Sequence, residues 1–108
     1  MQMDITAEDL SLTDSLRAHI ERRIRSAVGR CVRSVRMIRV RCSDVNGPRG
    51  GSDKQCKIRA TLAPRGELVI TDSDRDLYAT INRSAGRLKY ALSRHVNYWP
   101  KNRRRARP

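Results

Sequence analysis

The sequence predicts an α+β two-layer sandwich: a four-stranded sheet with two helices on one face, in the order β-α-β-β-β-α. Three observations carry that reading. Two segments repeat apolar residues every three or four positions, the period of a helix with one buried stripe. Three segments between them alternate apolar and polar residues, the period of a strand with one buried and one wet face. Runs rich in Gly, Pro, Asn and Asp separate the strand-like segments, as turns require.

The opening "MQMDIT" alternates loosely and reads as a first strand, with Met3 and Ile5 on one side. In "SLTDSLRAHIERRIRSAVGRC", Thr13 is a good N-cap, Asp14 sits well in the first turn, and Leu12 can staple onto the helix from outside. Leu16, Ile20, Ile24, Ala27 and Cys31 make the buried stripe. Arg22 and Arg25 point the other way, and Arg23 lies on the flank. "SVRMIRVRCS" changes period, with Ile38, Val40 and Cys42 inward and Arg39 and Arg41 outward. "DVNGPRGGSD" is dense in turn residues and reads as a loop. "KQCKIRATLAP" repeats the strand pattern, with Cys56, Ile58, Ala60 and Leu62 inward and Lys57, Arg59 and Thr61 outward. After a turn at "RG", "ELVITDS" is the last strand.

The acidic run "TDSDRD" leads into "DLYATINRSAGRLKYALSRH" and places Asp74 and Asp76 near the positive end of a second helix. Leu77, Ile81, Ala85, Leu88 and Leu92 fall on one stripe of that helix. Nearly opposite stand Arg83, Arg87, Tyr90 and Arg94, a row that carries no acid and spans roughly 16 Å at 1.5 Å per residue. Gly86, within the helix, costs about 0.5–1 kcal/mol relative to alanine. Pro100 is expected to stop the helix. Residues 1–98 then form one domain, and 99–108 a flexible basic tail bearing Lys101, Arg103, Arg104, Arg105 and Arg107.

A chain of 108 residues with no phenylalanine supports one modest aliphatic core. Its formal net charge is +13, and twenty of its 24 cationic residues are arginine. Arginine's planar fork pairs with phosphate and stacks on bases, so the bias points to nucleic acid. A membrane surface fits less well, because no segment joins a basic face to a bulky Trp/Phe/Leu face. Cys31, Cys42 and Cys56 are an odd count without Cys-x-x-Cys spacing, which argues against a disulfide scaffold and a zinc site. The N-terminus lacks the basic-then-apolar order of a signal peptide, and the expected setting is a reducing cytoplasm.

Together the pieces resemble a known family. "MQMDIT", the helix start Thr13, Leu16, Arg17 with the basic pair Arg22 and Arg23, and the run Asp76, Leu77, Tyr78, Ala79, Ile81 are similar in order and spacing to the ribosome hibernation-promoting factors, or ribosome-associated inhibitors. Arg87–Leu88 and Arg94–His95 match the later part of that pattern. Tyr90 stands where the family usually has a basic residue, Ala91 where it has Gln, and Asn82 where it has Asp. The resemblance implies a short-form factor with a fold similar to a double-stranded-RNA-binding domain. It implies a partner in the small ribosomal subunit and its rRNA, with the mRNA and tRNA channel occluded. No enzymatic step, cofactor, metal or small-molecule substrate is implied, and the protein is expected to be monomeric off the ribosome.

The rRNA-binding residues expected on this basis are Arg22, Arg23, Arg25, Arg83, Arg87, Tyr90 and Arg94, with Lys101, Arg103, Arg104 and Arg105 of the tail. Arg39, Arg41, Lys57 and Arg59 form a secondary basic field on the open sheet face, half of it attributable to protection against edge pairing. The cysteines read as small core residues. Asp72, Asp74 and Asp76 read as helix-start stabilisation and loop solvation rather than a magnesium site. Two rival functions are a general duplex-RNA binder or chaperone, and a small ribonuclease using His19 or His95.

Overall fold

The computed structural model describes residues 1–44 and 54–106, with side chains through residue 95. The predicted Asn-Gly/Gly-Gly loop and the side chains of Lys101, Arg103, Arg104 and Arg105 lie outside the described residues. The elements follow the expected order. They are β1 (Gln2–Glu8), α1 (Asp14–Val28), β2 (Val35–Asp44), β3 (Lys54–Leu62), β4 (Glu67–Asp74) and α2 (Leu77–Ala106).

The sheet runs β1-β2-β3-β4. β1 pairs parallel to β2 because α1 carries the chain back to the same end, while β2, β3 and β4 form an antiparallel meander. β2 and β3 are thus the central strands. Both helices pack on one face, burying Leu16, Ile20 and Ile24 of α1 and Ile81, Leu88 and Leu92 of α2 against Ile38, Val40, Ile58 and Ile70. The core is mainly short aliphatic chains, as the missing phenylalanines require, with Cys42, Cys56, Thr80 and Ser84 buried among them.

Local signals act where the sequence places them. The Thr13 hydroxyl accepts from the Leu16 amide at 3.1 Å and caps α1. Leu12 packs against the core from outside the helix. The α1 stripe ends earlier than its apolar spacing suggests. Gly29 at φ 46° caps the helix, its N–H reaching the Arg25 carbonyl, and Gly29–Ser34 continue as a 3₁₀ turn that leaves Cys31 half-buried. The alternation in β2 is also interrupted. A register shift between Val35 and Met37 lets Val35 and Ile38, three apart, both face the core.

Cys42 and Cys56 sit directly opposite each other on β2 and β3, fully buried. A hydrogen bond with Cys42, together with burial, pushes the Cys56 thiol well up, so the pair packs as small apolar groups.

The expected stop at Pro100 is not made: α2 continues through it to Ala106. Proline removes one bond from the helical ladder, but its fixed φ near −65° is itself helical, so the backbone continues with one bond fewer.

Candidate nucleic-acid interface

Three sets of cations lie on this frame, and tertiary structure treats them differently. The α2 row leans over the edge of the sheet. Arg83 Nε binds the Asp72 carboxylate, and Arg83 Nη2 donates to Asp74 Oδ2 at 3.2 Å and to the Ser73 carbonyl at 3.1 Å. Arg87 Nη1 donates to the Thr71 carbonyl at 3.0 Å. The row is free of acid only along the helix. The last residues of β4 bring two carboxylates to Arg83, whose fork is therefore committed within the protein. The acidic run has two jobs, since Asp76 also caps α2 by accepting from the Tyr78 amide at 2.9 Å.

Hydrogen bonds from Arg83 hold the Asp72 carboxyl below the usual range. The Asp76 and Arg75 amides, then Arg83, do the same for Asp74. Folded carboxyls that titrate low hold fewer protons than unfolded ones, so their support is complete above about pH 5 and is lost as pH falls below about 4. Thermal melts of an Asp72→Asn variant should therefore show a flatter loss of stability between pH 5 and pH 2 than the parent. A variant as acid-sensitive as the parent would show that the clamp does not form.

Arg94 and Tyr90 remain outward. The Arg94 guanidinium lies over the Tyr90 ring, 5.7 Å from its centroid, and the ring is 65% exposed. Beside them a groove of about 520 Å³ is lined by Ile70, Arg83, Gly86, Arg87, Tyr90 and Ala91. A Cβ built on Gly86 would meet nothing within 4 Å, so packing within the chain does not demand this glycine. Its effect is to lower the groove floor by one side chain.

α1 meets the other flank of α2. His19 Nε2 is 2.9 Å from Asn82 Oδ1, and its ring lies 4.7 Å from that of Tyr78. At about 100° per residue, Tyr78 and Asn82 point away from the Arg87 side of α2. Arg22 and Arg25 are exposed on the outer face of α1, on the same side of the sheet as α2. They form a second basic strip, separated from the Arg87–Arg94 strip by the crest of α2. Lys89 is exposed at the same helical angle as Tyr78 and Asn82, on the α1 side of α2, so it adds to the Arg22–Arg25 strip, and its sequence signal is weak because it falls outside the four-residue row. Arg23 is half-buried on the flank facing α2, and its Nε is shut from solvent without a hydrogen-bond partner among the described residues.

The third set is on the opposite face. Arg39, Arg41, Lys57 and Arg59 stand on β2 and β3, the central strands. Edge protection places charge on edge strands, so it does not account for half of this field as the sequence suggested.

The two histidines are not brought together. His19 packs beside Asn82, and His95 lies thirteen positions along α2, roughly 20 Å away. Among the described residues no group of three or more His, Cys, Asp or Glu is placed to hold a metal ion, and no helix is long and apolar enough to cross a membrane.

This is a small α+β domain that covers one sheet face with helices and turns arginine strips outward, a basic footprint of the kind that attracts polyanions. The chain belongs to the sigma 54 modulation protein / S30EA ribosomal protein family, whose pattern matches residues 3–98. The resemblance to hibernation-promoting factors is thereby borne out, and the chain is a ribosome-associated factor of that family. Solved structures share the fold, two of them as follows. A ribosomal subunit interface protein from Coxiella burnetii superposes with a TM-score of 0.75 at 16% identity, covering 88% of this chain and 97% of that one. The Protein Y N-terminal domain from Thermus thermophilus superposes with a TM-score of 0.71 at 22% identity, covering 88% and 99%. No curated protein sequence matches the chain.

Proposed function

We propose that this protein binds the small ribosomal subunit through rRNA and blocks the mRNA and tRNA channel, acting by occlusion without a chemical step. The observation that carries this reading is the pair of outward arginine strips on the helix side of a domain of this family. Arg22 and Arg25 supply one strip, joined by Lys89 on the α1 side of α2, and Arg87 and Arg94 supply the other. Tyr90 offers an exposed ring on which an unpaired base can stack. Arg83 serves as a strut, its fork held by Asp72 and Asp74. The cations of residues 101–105 add affinity without sequence preference. The protein works as a monomer in the cytoplasm.

Sedimentation with purified small subunits across a salt series tests the proposal. Binding is expected to fall steeply with salt, with a slope of about 0.7–0.9 per phosphate contacted. Binding to random duplex RNA as tight as to subunits would favour a general duplex-RNA binder instead. Absence of binding to subunits at low salt would overturn the proposal.

A further inference from the structure

The open face of the sheet is built differently from the helix face. In the antiparallel pairing of β2 and β3, Arg39 stands opposite Arg59 and Arg41 opposite Lys57. Cross-strand neighbours sit about 5 Å apart, and residues two apart on a strand about 7 Å, so four cationic stems rise from one small block. Like charges directly opposite each other weaken a sheet. Protection against edge-to-edge association does not explain them, because β2 and β3 are paired on both sides.

Acids stand only at the rim of this block. Glu8 of β1 holds Arg41 at 2.7 Å and Glu67 of β4 holds Arg59 at 3.8 Å. Asp4 lines the same shallow depression of about 270 Å³ from the β1 side. The rim acids draw one cation of each opposed pair outward. Arg39 and Lys57 have no hydrogen bond or ion pair among the described residues, and Lys57 is half-buried between its neighbours. The result is a cation-rich depression in which Arg39 stands beside Asp4 of β1 and Lys57 stands between Arg41 and Thr71, on a surface that the protein's own helices do not cover.

The geometry points to a second phosphate-binding surface here, occupied by an RNA backbone segment distinct from the one met by the helices. The occupant is taken to be RNA because four cations line the depression against the single carboxylate of Asp4, a concentration of positive charge that fits a run of phosphodiesters. The inference rests on the proposed ribosomal role and deepens it: the domain is held between two RNA segments, one on each face, rather than docked by one side.

The test uses the full chain carrying Arg39→Gln and Lys57→Gln, with two probes: intact small subunits, and protein-free small-subunit rRNA. One cation leaves each opposed pair while both rim ion pairs remain, so the melting temperature is expected to hold or rise. A drop in binding at that melting temperature is then not unfolding. Affinity for both probes should fall on the order of tenfold near 0.1 M salt, with the salt slope reduced by about 1.5, as for two phosphates left unpaired. Parental affinity and slope on both probes would overturn the inference. A drop on subunits alone would also overturn it, because the face would then meet an acidic protein surface. If the parent chain ignores subunits, the proposed function fails, and the naked-rRNA comparison alone decides the sheet face.

Discussion

Leu88→Ala is expected to lower the melting temperature by roughly 10–30 °C. Leu88 is fully buried on α2, between Ala85 and Leu92 on the same stripe. It faces strands whose hydrogen-bonded pairing leaves them little room to collapse into a void. Removing such a side chain costs about 2–5 kcal/mol, through lost transfer energy and an unfilled cavity. Domains of this size have about 5–15 kcal/mol in total, and each kcal/mol moves the midpoint by about 4–8 °C. A core without phenylalanine has no large neighbour to swing into the gap. Lys89→Ala, one residue on but exposed, should change the midpoint little. Circular-dichroism melts of the two variants at pH 7 make the comparison. Equal midpoints would mean that α2 is not seated on the sheet through this stripe.

The other large effect is on binding. Replacing Arg22, Arg25, Arg87 and Arg94 together by glutamine should weaken association with small subunits on the order of a hundredfold at 0.1–0.15 M salt. The salt slope should fall by about 3, one increment of 0.7–0.9 for each phosphate no longer neutralised. All four are exposed, and of their side chains only that of Arg87 makes a hydrogen bond to the described residues, to the Thr71 carbonyl. The fold should therefore survive the change, and a melt run in parallel checks that it does. Arg83→Gln should behave in the opposite way, with binding nearly intact and acid stability altered. Salt-dependent sedimentation of both proteins decides the matter. An unchanged slope in the fourfold variant would remove the helix strips from the interface.

The sequence made the strands and stripes visible because each rests on local periodicity. Leu16, Ile20 and Ile24 declare a helix face, Ile58, Ala60 and Leu62 a strand face, and Thr13 its own cap, each within a few residues. What stayed hidden depends on residues far apart or on a count of one. The row containing Arg83 reads as acid-free along the helix, yet its acids arrive from β4, eleven and nine residues earlier. The inward Val35 needs a one-residue register shift that no pattern announces. Arg39 and Lys57 were legible as outward residues, but their place on central strands follows only from the pairing order. Pro100 carries a strong local signal for ending a helix, and the backbone continues through it.

Gly86 separates two properties that most surface positions tie together. A side chain grown there would reach nothing in the protein, yet it would stand on the floor of the groove beside Tyr90. The width of that groove can therefore be changed by substitution at one position while the packing beneath α2 stays as it is. For a ribosome-associated protein, position 86 is a tuning point: fit to a partner can be adjusted there without reopening the question of whether the chain folds.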